Sequence, residues 1–354
     1  STKNQAEAVT YAIEDGSAHM QSTAYSGVNG ANSIEQAGNS TFQPDMVWIK
    51  RRDGTGPPGI FDALRSNKYI RTDTDAAEAT ESSFSGFDSN GFNFSAADTA
   101  LESNTGGRTY VGWQWLGGNA SSTPSGGDIS TTCSVNQTAG FSIVSWEGNN
   151  TNEQTIAHGL GATPSMIMYR KREGSQFFVQ HAGLTGGIAN GTSTKQLIID
   201  GTDDEGGPFS GGYIDTVGST TVRLKRGSSS MNNCNASGDN YISYMFVNIP
   251  GYSKFGKFSS GSSGDPFVEC GFTPALIFLK RISAADSWYV QDIARDPNNP
   301  AYRYLQWNDT AAEASNASVY IDIISNGFVC DLSGIVTSSD DMIFGAWAEN
   351  PFAG

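Results

Sequence analysis

Short apolar runs recur along the chain, each bounded by turn-forming residues. None extends into the long amphipathic stripe of a helix. The clearest run starts at a proline and ends in basic residues. It reads Pro44-Asp-Met-Val-Trp-Ile-Lys50-Arg51, then Pro164-Ser-Met-Ile-Met-Tyr-Arg170-Lys171, then Pro274-Ala-Leu-Ile-Phe-Leu-Lys280-Arg281. The prolines are 120 and 110 residues apart, and a repeat on that scale defines the architecture. These anchor runs are almost wholly apolar, which predicts a central strand covered on both faces.

Other landmarks keep the same order around each anchor. Before it comes an aromatic strand ending near glycine: Tyr25-Ser-Gly27, Trp146-Glu-Gly148 and Phe258-Ser-Ser-Gly261. After it comes a strand with a polar tip: Ile60-Phe61-Asp62, Phe178-Val179-Gln180-His181 and Tyr289-Val290-Gln291-Asp292. Each copy closes on a strand of large apolar residues, Tyr110 to Trp115, Tyr241 to Phe246 and Met342 to Trp347. Ser89-Asn90-Gly91-Phe92 and Ser325-Asn326-Gly327-Phe328 have the chemistry of tight hairpins. The Ala-Ala-Glu-Ala pieces at 76–79 and 311–314 suit one helical turn.

The expectation is an all-β chain of three tandem β-sandwich domains, jelly-roll or concanavalin-like, behind a short N-terminal arm. The boundaries are an arm at 1–20, a first repeat at 21–118, a flexible linker at 119–138, a second repeat at 139–250 and a third at 251–354. The linker is placed by the run Asn119-Ala-Ser-Ser-Thr-Pro-Ser-Gly-Gly127. It would isolate copy one, while copies two and three abut at Ile249-Pro250-Gly251.

Composition agrees with many turns and little helix: 42 glycines and only 16% charged residues in 354. The net charge of −15 would repel a phosphate backbone, so nucleic acid is not an expected partner. No apolar stretch reaches the length of a membrane span. Cys133, Cys234, Cys270 and Cys330 form no Cys-x-x-Cys pair, and only Cys270 and Cys330 share a repeat. Four free thiols in a chain made in a reducing cytoplasm are the simpler reading, with a Cys270–Cys330 bridge the alternative.

Catalytic signatures are sparse. There are three histidines, His19, His158 and His181. His158-Gly-Leu-Gly161 leads into a strand, which suits a turn and not a phosphate loop. His181 shares its slot with Asp62 and Asp292, which suits a polar strand tip. There is no nucleophile elbow and no His-Glu-x-x-His. An enzyme is not expected, and no cofactor beyond calcium is considered. Asp200, Asp203, Asp204 and Glu205 supply oxygens of the right kind for calcium, although solvent-facing turn acids are the simpler reading. Tyr304, Trp307 and Trp288 lie outside the anchor and closing strands and could stack on sugar rings.

Thr138-Ala-Gly-Phe-Ser-Ile-Val-Ser-Trp-Glu-Gly148, with His158 through Met168 and Phe42 through Gly54, resembles a repeat domain of bacteriophage virion proteins, common in marine phages and cyanophages. The likeness spans residues 21 to 350. It implies a virion-surface protein made in the host cytoplasm, most simply a tail fibre or spike subunit that meets a host glycan or protein. It further implies contact with other virion proteins through the arm, and a homotrimer. A capsid decoration or head-fibre protein is the alternative, and a polysaccharide depolymerase a further one. The family carries no catalytic residues to transfer.

Overall fold

The computed structural model describes residues 12–98, 100–188, 195–206, 213–225, 232–260, 266–331, 333–334 and 340–350. The fold is all-β. Among the described residues six antiparallel sheets account for it, and the helical structure is a single 3-10 turn, Gly16–Ala18.

Three sheets have six strands, and five strands correspond from copy to copy. In copy one an edge strand (Met20–Ser26) pairs with the closing strand (Thr109–Trp115). The closing strand pairs with the anchor strand (Met46–Arg51), and the anchor with the tip strand (Gly59–Asp62). Lys68–Arg71 and Ala79–Thr80 complete the sheet. Copy two repeats the order with Phe141–Glu147, Asn240–Phe246, Met166–Lys171, Phe178–His181 and Leu197–Ile198. Copy three uses Ser253–Ser259, Asp341–Trp347, Leu276–Arg281, Trp288–Asp292, Arg303–Gln306 and Ala314–Ser315. The register is the same in all three: Met46, Met166 and Leu276 face Trp115, Phe246 and Trp347.

A three-stranded sheet covers one face of each large sheet. Its strands are Asn32–Glu35, Gly91–Phe94 and Phe84–Asp88 in copy one. They are Thr155–Ala157, Thr221–Leu224 and Ile214–Val217 in copy two. In copy three they are Phe267–Glu269, Gly327–Asp331 and Tyr320–Ile324. The Ser89-Asn90 and Ser325-Asn326 turns do make two-residue hairpins. The glycine after each is forced by neighbours. A Cβ on Gly91 would overlap the carbonyl oxygen of Ile34, and one on Gly327 that of Val268.

Strand alternation explains why the anchor strands are apolar throughout. Val47 and Ile49 point into copy one's own core, with Phe84 and Phe92 of the small sheet. Met46 and Trp48 point the other way, into a core shared by all three copies. Met166 and Met168 do the same in copy two, and Leu276 and Phe278 in copy three. Trp115, Phe246 and Trp347 meet there edge to face, with ring centres 5.4–6.0 Å apart. The gap left among these side chains is about 10 Å³, at the lower limit for one water.

This shared core corrects the expectation that copy one stands apart on a flexible linker. Within 119–138, Thr131–Asn136 is a strand added outside Phe141–Glu147, and Ser122 bridges to Cys133. Cys133 fills the local core of copy two, and that burial orders the segment. The arm is also different in its described part. Ile13 is buried in the shared core, and Ser17 N–H donates to Glu349 O at 2.8 Å, tying residue 17 to residue 349 at the far side of the repeat set. The rest of the expected arm, residues 1–11, lies outside the described residues.

The Ala-Ala-Glu-Ala pieces are extended, not helical. Their Glu78 and Glu313 N–H groups each donate at 2.8 Å to a neighbouring copy, to Arg172 O and Arg52 O. That cross-copy bond replaces the intrahelical one.

Candidate functional site

Polar side chains gather at the three joints between copies, and at a groove beside one of them; further clusters, such as Glu81 with Asp98 and Asp215 with Arg223, lie within single copies. The joints are cyclic. In the joint from copy one to copy two, the tip residue Asp62 accepts Tyr244 Oη–H at 2.7 Å and pairs with Arg65 at 2.6 Å. In the joint from copy three to copy one, Asp292 accepts Trp113 Nε1–H at 2.9 Å and pairs with Arg295 at 2.5 Å. By register, Trp113 and Tyr244 are equivalent, and the third member of that set is Gly345. Phe255 and Phe278 crowd that glycine. His181, the tip of copy two, therefore meets backbone, its Nε2 3.0 Å from Phe344 O. Its Nδ1 accepts Gly183 N–H at 2.9 Å, so the ring is neutral. Complete burial pushes its pKa down to about 3.

An outer set of contacts follows the same cycle. Arg172 grips Glu78 through two bonds of 2.8 and 2.9 Å, and Arg52 grips Glu313 through two of 3.0 Å. Both carboxylates are held below their ordinary pKa by these arginines, against the opposing effect of burial. In the third joint Ile282 replaces the arginine, and Glu205 binds Thr185 instead, at 2.6 and 2.8 Å.

The groove originates just beyond the closing strand of copy one. Two residues past that strand in the three copies stand Gly117, Asn248 and Glu349. Asn248 accepts Phe255 N–H at 2.7 Å, and Glu349 accepts Ser22 N–H at 2.9 Å. Each thereby caps an edge strand of the next copy. Gly117 has no side chain to do so, and the equivalent edge at Ile143 is taken by Ser134 of the added strand. The chain that supplies this strand walls an open cavity of about 680 Å³.

Asp45 supports the wall from beneath. It accepts Gly117 N–H at 2.9 Å, Asn119 N–H at 3.2 Å and Ser134 Oγ–H at 2.8 Å. Burial raises its pKa despite those bonds. Asn136 Nδ2 lies 3.1 Å from His19 Nδ1 and donates to Leu116 O at 3.2 Å. His19 thus keeps its proton on Nε2, and burial lowers its pKa. Gln137 Nε2 donates across the groove to Gly159 O at 2.6 Å. Gly159 has φ +74°, and a Cβ there would press on Val135 and Pro124. Ser122, Thr123 and Thr138 are exposed along the rim, and no Asp, Glu, Lys or Arg among the described residues lines the cavity.

The residues singled out from the sequence fall elsewhere. Trp288 and Trp307 cannot stack on a sugar, because both are buried. Trp288 Nε1–H donates to Ile198 O at 3.0 Å, and Trp307 stacks on Trp48 with ring centres 4.2 Å apart. They pack joints between copies. Tyr304 is half-buried beside Tyr289. The calcium candidates disperse. Asp200 accepts Phe177 N–H, Asp204 accepts Gly206 N–H, Asp203 lies near Lys280, and Glu205 holds Thr185. Among the described residues no three metal-ligating side chains converge. His158 is buried within a turn, its Nδ1 accepting Leu160 N–H. All four cysteines are buried thiols, with Cys133 raised to about 11 and Cys234 and Cys270 to about 12 by burial.

Fold and groove together define a class: an all-β protein whose three copies close on one core, with a groove free of charged lining residues at the joint from copy one to copy two. The chain belongs to the family described as a domain of unknown function, DUF7483, whose model matches residues 15–351. The match thus spans all three copies as one unit. No curated protein matches the chain.

Proposed function

We propose that this chain is a surface component of a bacteriophage particle, a tail-fibre or spike subunit that contacts the host cell, with the groove beside His19 as its contact site. In this reading each copy is a jelly-roll or concanavalin-like β-sandwich domain. The observation that carries the contact site is the asymmetry among equivalent positions: among the described residues, only the passage from copy one to copy two bears an added segment, and that segment walls a cavity. Departures from an internal repeat concentrate where a surface binds. The phage setting rests on the resemblance of the repeat itself.

The reading is one of binding and not turnover. The groove gathers amides, hydroxyls and one imidazole, and its nearest carboxyl, Asp45, is occupied beneath the wall. The homotrimer implied by the resemblance belongs to the same reading, and its contacts would use surfaces outside the core that the three copies share within one chain. Attachment to other virion proteins through the part of the N-terminal arm that precedes Ile13 is part of it as well. Purified protein is expected to bind cells of the bacterium the particle infects and to block adsorption of intact particles. Failure of both would remove the host-contact role. Antibody labelling of particles, seen by electron microscopy, would then distinguish a capsid location from a tail one.

A further inference from the structure

We infer that the groove beside His19 takes a neutral oligosaccharide, one molecule per chain. The inference rests on the reading of the groove as a contact site and adds the chemistry of its ligand.

The lining has two components. One is polar and uncharged: Asn119, Asn136 and Gln137 with amide side chains, Ser122, Thr123 and Thr138 with hydroxyls, and the imidazole of His19. The other is a set of small apolar surfaces, Leu116, Pro124 and Val135. Sugar rings present both kinds of surface, with hydroxyls in fixed directions around apolar C–H faces. The volume of about 680 Å³ lies in the range of small-molecule sites.

Absence of charge decides among the ligands. An anionic glycan or phosphate entering the cavity would lose water with no lysine or arginine in the described lining to replace it. The whole chain, at −15, would repel it further. A cationic ligand would find no lining carboxylate. A neutral hydroxylated ligand incurs neither cost, because amides and hydroxyls can exchange bonds to water for bonds to it.

The stoichiometry comes from the same internal comparison. Asn248 and Glu349 occupy the positions equivalent to Gly117 and turn inward to cap backbone. Neither of those junctions has the added strand among the described residues, so a threefold-like molecule carries one such groove.

The test is titration of the full chain by calorimetry with neutral trisaccharides (maltotriose, mannotriose and tri-N-acetylglucosamine) against trigalacturonate. The expected result is saturable binding of a neutral trisaccharide at one per chain, with trigalacturonate at least about tenfold weaker. Gln137→Ala removes the strut to Gly159, and Thr138→Arg puts a cation on an exposed rim position. Each is expected to weaken neutral binding by about tenfold or more. Unchanged circular dichroism and melting would show that the fold is kept. Silence across the neutral panel overturns the inference, as do equal affinity for trigalacturonate, three sites per chain, or indifference to both substitutions. If Gln137→Ala leaves host-cell binding intact, the groove reading fails while host contact stands. If the sugar binds but cells do not, host contact fails and the groove stands.

Discussion

Glu349 shows how far one residue's chemistry depends on where the chain closes. Its carboxyl accepts Ser22 N–H, and its carbonyl accepts Ser17 N–H, so it fastens the last copy to the first. Burial, with Asp292 and Asp15 nearby, raises its pKa from the ordinary 4.5 to about 7. Tyr252 also faces it, and His19 stands edge-on to that ring. A raised carboxyl pKa means that the folded state holds a proton the unfolded state releases. The stabilisation is complete below pH 4.5 and is lost as pH rises through about 7. His181 acts in the opposite sense. Its lowered pKa gives stability that is present above the ordinary 6.5 and lost as pH falls toward about 3. Glu349→Gln isolates the first effect, and Asn248 already makes the equivalent contact with an amide. The melting temperature of the wild type relative to this variant is expected to fall between about pH 5 and 8, by the equivalent of a few kcal/mol. Parallel pH profiles would refute it. Nothing near Glu349 in the sequence announces this role, since its partners lie more than three hundred residues away along the chain.

At the scale of elements, the tip strands carry the joints. The shared slot of Asp62, His181 and Asp292 is legible in the sequence as a polar ending on an apolar strand. Its purpose is not, because Tyr244, Phe344 and Trp113 belong to other copies. Asp62 and Arg65 are both fully buried. Arg65→Met leaves a carboxylate unpaired inside the joint and is expected to cost about 3–5 kcal/mol in urea unfolding. Asp62→Leu combined with Arg65→Met removes both charges and is expected to cost clearly less. A double variant no better than the single one would count against the pair as the source of the loss. The Ala-Ala-Glu-Ala segments make a related point. Their composition favours a helix, yet an N–H bond and a bidentate arginine pair across a joint outweigh that weak preference. The expected linker is ordered for a similar reason. Its glycines and serines do lack a local preference, but Cys133 and Val135 within it have an apolar face to fill.

The whole molecule is a closed set of three copies, and its stability resides in what they share. Trp48, Trp113 and Trp115 of copy one are buried against the other copies. A chain of residues 12–118 alone would expose them, a patch far larger than soluble monomers tolerate. It is expected to self-associate or aggregate in light-scattering chromatography, while the full chain elutes as one defined species. A monomeric, cooperatively melting fragment would show that each copy suffices by itself.

By itself the sequence determined the threefold repeat, the all-β class, the succession of landmark strands along the chain, the tight hairpins and the apolar anchors. Those features are written in residues close together along the chain, where turn chemistry and alternation act locally. It left open which face of each sheet meets which core, because a strand that is apolar on both faces has no sided pattern to read. Only the tertiary structure decided that the copies close on one another, that Trp288 and Trp307 are packing residues, and that the joint from copy one to copy two opens into a groove. These depend on contacts between residues a whole copy apart, and no local pattern encodes such distances.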